Sequence, residues 1–489
     1  MKALLKLLPA IVVFIASAVA QPPPAGLEEQ PASFCIDPAT TYQKIEGFGA
    51  GFFPQSLVAM SDLQPEERER MYDLLYTDKG VRLNILRLYI SGNDEPLPED
   101  DPLRSRGLKY NWPKQAYTRQ LYQSLPPVFA RAKPIIYAVP FTPPVRWKTD
   151  KARNWGGAFL PQHYRDYADY LADFLKYSRL EPKVNIDVLS LQNEPDVSAP
   201  WDSTRWTGEE LRDFLKVLGA TLRAEGLSTK LMVPESSTWD QTAIQSAPIL
   251  RDPEARKYIG ILAGHSYGWD DLVDRGRGLM RSTAARYGLP LWMSEMSILD
   301  RPEDPSIRTA MKIAHYMYRD FVEAGVSAWV YCLTITRTDP VLPGSLGLLA
   351  PPKNGTLAIP KRFWAFANYS RFVQPGWKRM RVEGLAFANT GFVSPQGDHF
   401  ALVALNDAAH PRRASYDFGA WEPVDVETFR TSKDSDLAPV SGARVEGSTL
   451  RATLAPTSIT TFVGRLRHAA TPPHPCVAAG ESDEPVAKP

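Results

Sequence analysis

The sequence has little cysteine, no excess of one charge and no long apolar run. Its 489 residues include only three cysteines, Cys35, Cys332 and Cys476, which excludes a disulfide-built scaffold, and no matching histidine spacing suggests zinc. Lys+Arg number 56 and Asp+Glu 55, and this balance argues against a nucleic-acid partner. No later segment reaches the roughly 18 apolar residues of a membrane-spanning helix, and no GxGxxG or Walker-type loop follows a predicted strand. Neither a membrane protein nor a nucleotide-binding fold is therefore expected.

The first twenty residues have the pattern of a secretory signal peptide. Lys2 and Lys6 precede and flank the apolar run LLPAIVVFIAS, and Ala18-Val19-Ala20 fits a small-residue cleavage site. A Pro-rich leader follows at 21–33, and the Pro-, Ala- and acid-rich tail at 468–489 is predicted to be disordered. We expect a secreted, soluble monomer. Its two outlying cysteines would pair if the chain ends meet, and two free thiols are an equal alternative.

Eight short apolar runs alternate with longer stretches of helical periodicity. Strands that are apolar nearly throughout and separated by helices indicate a parallel sheet covered by helices. Eight repeats within 47–376 favour an α/β fold of the (β/α)₈ TIM-barrel type over an open doubly wound sheet. The eight runs are IEGFGAGFF (45–53), ILRLYI (85–90), PIIYAVP (134–140), IDVLSLQ (186–192), KLMVP (230–234), YIGILAGH (258–265), LPLWMS (289–294) and SAWVYCL (327–333).

The pattern changes after residue 376. The runs HFALVALN, VDVETFR and SITTFVGRL have strand character, with turn residues between them and no helical period. We predict an all-β side domain, a β-sandwich over 377–467, to which the β-like segment 34–46 contributes one or more strands.

Three predicted strands run directly into a glutamate. The fourth leads to Glu194, the fifth to Glu235 and the seventh to Glu295. In a barrel the chemistry gathers at the carboxyl ends of the strands, and strands four and seven stand across the bore from each other. Hydrolysis of a glycoside with retention needs two carboxyl groups about 5–5.5 Å apart, one protonated and one ionised. Glu194 and Glu295 are the predicted pair, Glu235 is the rival, and Asn193 is placed to bind a sugar hydroxyl.

The chain resembles glycoside hydrolase family 30, a family of clan A retaining hydrolases. The motifs LQNEP and LPLWMSE resemble its acid/base and nucleophile strands, which implies Glu194 as proton donor and Glu295 as nucleophile. LRLYI places Arg87 at the family's arginine position, and HSYG resembles its His-x-Tyr pattern with His265 and Tyr267. All three are predicted substrate-binding residues; Tyr267 would also hydrogen-bond the nucleophile, and pairing with carboxylates is the alternative for Arg87. The resemblance covers about 36–466 and implies that no cofactor or metal is required.

The expected substrate is inferred from weaker sequence similarities. MVPESSTWDQTAIQSAPIL and ILAGHSYG are most similar to the family's endo-xylanase branch, which predicts a polysaccharide substrate such as xylan or glucuronoxylan. Arg337 is the one candidate for binding a glucuronate side group, and Tyr331 stands where the family commonly has tryptophan. Trp147, Trp155 and Trp201 lie in loops predicted at the top of the barrel and are the candidate sugar-stacking residues, with burial in the core as the alternative. Trp329 and Tyr331 alternate along one strand, so they share a face, and both are candidate substrate contacts.

Other functions share the same catalytic frame. Hydrolases of β-1,6-glucan or β-1,6-galactan and exo-acting β-glycosidases remain alternatives, distinguished by substrate linkage and product length. A carbohydrate-binding protein on a decayed barrel is the non-enzymatic alternative, and it would bind sugar without releasing reducing ends.

Overall fold

The computed structural model describes residues 31–469, apart from 94, 182, 269–274, 300–302 and 338–345. The predicted signal peptide, most of the leader, Cys476 and nearly all of the predicted tail lie outside the described residues. In the described part of the chain, no helix combines the length and apolar character that crossing a membrane requires.

Eight parallel strands close into a barrel, as the apolar runs predict. Strand β1 (Ala32–Lys44) precedes the barrel and belongs to another sheet. Each barrel strand pairs in parallel with its neighbour, and the last pairs with the first. The barrel strands are β2 (Gly47–Phe52), β3 (Ile85–Ile90), β4 (Ile135–Pro140), β5 (Val188–Ser190), β6 (Lys230–Ser236), β7 (Ile259–His265), β8 (Leu291–Met296) and β9 (Ala328–Tyr331).

Helices cover the outside of this barrel. Helix α7 shows why they form where they do: Thr207 and Glu210 make reciprocal capping hydrogen bonds at its start, and its apolar side faces the strands. The helices are α1 (Pro54–Ser61), α2 (Pro65–Tyr76), α3 (Pro102–Ser105), α4 (Ala116–Ser124), α5 (Pro126–Phe129), α6 (Tyr164–Leu180), α7 (Gly208–Ala224), α8 (Trp239–Arg251), α9 (Pro253–Arg256), α10 (Gly276–Tyr287), α11 (Ile307–Arg319) and α12 (Lys361–Ser370). A π-helical turn, Asp320–Ala324, extends α11.

A three-stranded sheet and a ten-stranded sheet complete the fold. The small sheet has the order β10 (Leu333–Ile335), β11 (Gly347–Lys353) and β12 (Thr356–Ala358). The large sheet contains β1 and nine later strands, in the order β18-β17-β21-β15-β14-β13-β1-β16-β20-β19. These nine strands are β13 (Lys378–Glu383), β14 (Asn389–Val393), β15 (His399–Asn406), β16 (Arg412–Asp417), β17 (Trp421–Ser432), β18 (Ser435–Pro439), β19 (Arg444–Glu446), β20 (Thr449–Leu454) and β21 (Ser458–His468).

The ten-stranded sheet folds over a core of its own. Tyr416 of β16 and Phe462 of β21 stand on opposite halves of the strand order, yet their ring centroids are 5.6 Å apart. Phe400 and Phe418 meet in the same way at 5.0 Å. These contacts confirm the predicted β side domain, built from the C-terminal segment together with an N-terminal strand.

Candidate active site

Barrel strands deliver three glutamates to one place. Glu235 and Glu295 lie within β6 and β8, and Glu194 lies in the turn that follows β5. Glu194 has a left-handed backbone (φ 43°), which a non-glycine residue adopts only where its surroundings hold it there. Its amide donates to the carbonyl of Glu235 (3.0 Å), and its carbonyl accepts from the amide of Val197 (3.0 Å). The turn is thereby fixed and carries the Glu194 carboxyl toward β8.

The side chains of Glu194 and Glu295 face each other across an open cavity. Oxygen atoms of the two carboxyl groups and Nδ1 of His265 all lie within 4.8 Å of one another. Both glutamates keep a small exposed fraction, 8% for Glu194 and 6% for Glu295. They line a cavity of about 1280 Å³ together with Asn193 and Tyr267. The predicted pair is therefore close together and accessible to a ligand.

Arg87 connects the three chain segments that carry the glutamates. Its guanidinium forms an ion pair with Glu295, donates to Oδ1 of Asn193 (2.7 Å) and donates to Oε1 of Glu235 (3.1 Å). The side chain is completely buried behind these groups. A guanidinium suits this position because its planar fork can serve several oxygens at once. Arg87 thus contacts the carboxylates, and the predicted substrate contact from Arg87 is corrected to a positioning role.

His265 bridges all three glutamates. Nδ1 lies 3.0 Å from Glu194 and 3.8 Å from Glu295, and Nε2 lies 3.6 Å from Glu235. Burial alone would lower the pKa of His265, but the neighbouring charge of Glu295 and hydrogen bonds to Glu194 and Glu235 raise it to about 10. The imidazole is therefore a cation at neutral pH. Like Arg87 it is fully buried, so its predicted substrate contact is also corrected to a positioning role.

The two facing carboxyl groups have opposite pKa shifts. Burial, helped by the charges of Glu295 and Asp196, raises the pKa of Glu194 against the opposing hydrogen bond and charge of His265. Burial acts in the same direction on Glu295, but the charges of Arg87 and His265, with hydrogen bonds from Arg87 and Tyr267, bring its pKa below the ordinary value. The Tyr267 hydroxyl donates to Oε1 of Glu295 at 2.9 Å. The opposite shifts favour the protonated form of Glu194 and the ionised form of Glu295, which is the division of roles that double displacement needs.

Glu235 has a different environment. It is completely buried, pairs with Arg87 and accepts from the Tyr137 hydroxyl at 3.0 Å. Burial opposes ionisation, but the charge of Arg87 and contacts with His265 hold its pKa below the ordinary value. Among the described residues it does not line the cavity, so Glu235 serves as an internal counter-charge.

Four predicted substrate contacts need correction. Trp147 is buried and its ring lies against His163 (5.9 Å), because its loop folds back onto α6. Trp329 and Tyr331 are buried on the outer side of β9, where Nε1 of Trp329 donates to Asp320 (2.9 Å). Arg337 pairs with Asp62 at the surface. None of the four belongs to the described lining of the cavity.

Sequence reasoning missed two features of the site. Tyr137, whose hydroxyl contacts Glu235, is the polar exception within the aliphatic run PIIYAVP, and that exception is a usable signal. Tyr89 shares a strand face with Arg87 and lines the cavity with Arg153 and Asp202. Arg153 and Asp202 stand in polar loops, and no sequence signal links them.

A metal is poorly matched to the site. Glu194, His265 and Glu295 form a described group with metal-ligand spacing. Because His265 is a cation, its nitrogen would first have to lose a proton to act as a ligand. The donor set therefore suits proton transfer better than metal binding.

Comparison with known proteins agrees with this geometry. Residues 45–278 match the family model described as the glycosyl hydrolase family 30 TIM-barrel domain. The barrel is a glycoside hydrolase family 30 domain. The chain is accordingly a glycoside hydrolase, and the retaining mechanism is the one known for family 30.

Relatives of this family 30 chain extend over both of its domains. Glucuronoxylanase XynC of Bacillus subtilis (strain 168) is 26% identical over 427 residues, which cover 86% of this chain and 89% of the relative. The putative glucosylceramidase 2 of Caenorhabditis elegans is 27% identical over 411 residues, covering 76% of each chain. The solved family 30 subfamily 8 xylanase of Clostridium acetobutylicum superposes with a TM-score of 0.72 at 26% identity, covering 88% of this chain and 99% of that one.

Proposed function

We propose that this family 30 enzyme is a secreted endo-β-1,4-xylanase in which Glu295 is the nucleophile and Glu194 the general acid/base. The observation that carries the role assignment is the pair of facing carboxyl groups, within 4.8 Å at an open cavity, with opposite pKa shifts. Such a separation leaves no room for a water between carboxylate and sugar, so it favours retention over inversion.

The proposed reaction has two displacements. Glu295 attacks the anomeric carbon while the bond to the leaving sugar breaks, and Glu194 gives its proton to the departing oxygen. A covalent glycosyl-enzyme results. Glu194, now ionised, then takes a proton from a water molecule whose oxygen attacks the same carbon and releases Glu295. Asn193, held by Arg87 at the cavity wall, is placed to donate to a sugar hydroxyl.

Endo action on xylan is supported by the cavity and by the relatives. A volume of about 1280 Å³ exceeds the roughly 300–1,000 Å³ of ordinary small-molecule pockets, so a stretch of polymer fits better than a single sugar. The relatives named as xylanases align across the barrel and the side domain. Because Arg337 is engaged by Asp62, we further propose that cleavage does not depend on a glucuronate side group.

Azide rescue tests the two catalytic roles. Glu194→Ala and Glu295→Ala should each lower hydrolysis of an aryl β-xyloside at least about 10³-fold, because each removes one half of the mechanism. Azide should restore turnover in both, giving a glycosyl azide of retained configuration with Glu194→Ala and inverted configuration with Glu295→Ala. The matched control is Glu235→Ala, which should show no rescue. Rescue of Glu235→Ala, or the reverse stereochemistry, would reject the assignment.

A substrate panel tests the polymer. Glucuronoxylan, arabinoxylan, β-1,6-glucan and β-1,6-galactan are incubated with the enzyme, and the products are sized. Mixed xylo-oligomers from both xylans would support the proposal, whereas monomer alone would indicate an exo enzyme. Secretion is tested by N-terminal sequencing of protein recovered outside the cell, which should begin at Gln21.

A further inference from the structure

Two loops at the mouth of the barrel are joined into one unit. The first, residues 149–159, follows β4, and the second, residues 196–206, follows β5. Asn154 forms an antiparallel bridge with Asp202, and Ala158 a parallel bridge with Arg205. Two further hydrogen bonds join the loops. The amide of Ser203 donates to the carbonyl of Arg153 (2.9 Å), and the amide of Arg205 donates to the carbonyl of Gly157 (2.8 Å). Each loop therefore fixes the position of the other.

The joined loops carry two exposed tryptophans. Trp155 and Trp201 each adjoin a residue of the Asn154–Asp202 bridge, and their exposed fractions are 64% and 38%. Trp155 has a left-handed backbone (φ 64°), an uncommon conformation for a bulky residue. Its amide donates to the carbonyl of Ala199 (2.6 Å), so the second loop holds this conformation in place. The fold therefore keeps an exposed indole on a strained backbone at Trp155. Residues with strained backbone conformations concentrate at ligand-binding positions.

A polar clamp fixes the base of these loops. Nε of Arg153 donates to Oδ1 of Asp202 (3.0 Å) and its Nη2 to the Tyr89 hydroxyl (3.1 Å), while Tyr89 also donates to Asp202. All three clamp residues and Trp201 line the same cavity as Glu194 and Glu295. Trp201 therefore borders the catalytic cavity directly, and Trp155 is held on the loop that is hydrogen-bonded to the loop of Trp201.

We propose that Trp155 and Trp201 form a sugar-binding platform that holds the glycan chain beyond the sugars at the scissile bond. This inference rests on the proposed endo action. The occupant is the substrate polymer itself, because Trp201 lines the cavity that holds the catalytic pair and Trp155 stands on the loop bridged to it. A pyranose ring has an apolar face of C–H groups that packs on an indole, while the Arg153–Asp202 pair offers a donor and an acceptor to its hydroxyls.

Chain-length dependence tests the platform. We compare kcat/KM on xylohexaose with kcat/KM on a 4-nitrophenyl β-xylobioside, which has only two sugars to place. Trp201→Ala and Trp155→Ala should each lower the ratio of the long to the short substrate by about tenfold, through KM, because one aromatic contact is lost. Trp201→Phe should restore most of the ratio, since the phenyl ring keeps a stacking face. Unchanged ratios in both alanine variants would overturn the proposal.

A matched variant controls for the loss of any exposed aromatic residue. Phe129→Ala removes a ring of similar exposure, 40%, from α5, which precedes β4 and so lies at the opposite end of the barrel. Its ratio should equal that of the unaltered enzyme. An equal loss on both substrates in Trp201→Ala would mean a structural role and would also overturn the platform.

Failure of the platform can be told apart from failure of the proposed function. If the unaltered enzyme cleaves another glycan of the panel and no xylan, the proposed substrate fails, and short and long oligomers of that glycan replace the xylose oligomers. The ratio of long to short substrate then still tests the platform. If xylan is cleaved and the ratio is the same in every variant, the proposed function stands and the platform fails.

Discussion

His265 sets the charge of the site at the scale of a single residue. Its cation lies 3.0 Å from Glu194 and 3.8 Å from Glu295, and it favours the ionised form of both. Under the proposed roles, activity requires Glu295 ionised and Glu194 protonated. The acid limb of the pH profile therefore follows Glu295, whose pKa is lowered, and the basic limb follows Glu194, whose pKa is raised.

Removing that cation should move both limbs in one direction. In His265→Asn the pKa values of Glu295 and Glu194 should both rise, so both limbs of the kcat/KM profile should shift to higher pH, by about one unit or more. The control is His163→Asn, which removes a histidine paired with Asp166 on the surface and should leave the profile unchanged. Limbs that stay fixed in His265→Asn would show that His265 is not the charge that tunes the pair.

At the scale of elements, Asp320 ties the barrel strands to their helices. It lies in the π-helical turn after α11 and accepts from Trp239 (3.0 Å), Ser266 (2.9 Å), Arg277 (2.8 Å) and Trp329 (2.9 Å). Ser266 stands between His265 and Tyr267, both of which contact the catalytic carboxyls. The network thus connects α8, α10 and β9 to the segment that positions the site.

Removal of the Asp320 carboxylate should destabilise the fold. Asp320→Ala should lower the free energy of unfolding by about 3–5 kcal/mol, because it takes a buried partner from the buried guanidinium of Arg277. Glu446→Ala, which breaks an exposed pair with Arg451, should cost under about 1 kcal/mol. Denaturant unfolding measures both. If Asp320→Ala does not fold, Trp329→Phe removes one hydrogen-bond donor together with part of a buried ring, and should cost about 2–3 kcal/mol. Equal values for Asp320→Ala and Glu446→Ala would contradict a structural network.

The barrel could be predicted at this scale because its strands are buried on both faces and so appear as apolar runs. Glu194 and Glu295 stood out because an acid at the end of such a run needs a special environment. The direction in which side chains point could not be predicted from the sequence in the same way. The alternation of side chains along a strand predicts that Trp329 and Tyr331 share one face of β9, but it does not tell whether that face points into the barrel. The face packs against helices. The partner of Arg337, Asp62, is 275 positions away, and no local pattern reveals such a pair.

At the scale of the whole molecule, the two domains share a buried interface. Asn368 of α12 donates to Oγ1 of Thr431 (2.7 Å) and accepts from Oγ1 of Thr461 (2.8 Å), with all three side chains buried. Phe392 of β14 meets Phe321 of the π-helical turn with ring centroids 5.5 Å apart. The chain also crosses between the domains twice, where Ile45 exchanges backbone hydrogen bonds with Gly376 and Trp377. We therefore expect the parts of the chain on either side of the predicted boundary at 376/377 to unfold together.

That expectation can be tested from the side-domain core. Phe400→Ala removes a buried ring that packs on Phe418 on the face of the sheet turned away from the barrel, and it should cost about 3–5 kcal/mol. If the interface couples the domains, the temperature at which catalytic activity is lost should fall together with the midpoint of the circular-dichroism transition. If the domains unfold separately, activity in Phe400→Ala should survive above the temperature at which the β-sheet signal melts. If activity and the circular-dichroism signal are lost at the same temperature, the β domain stabilises the catalytic barrel. Removal of a ring far from the cavity would then have released the strands that hold Glu194 and Glu295 together.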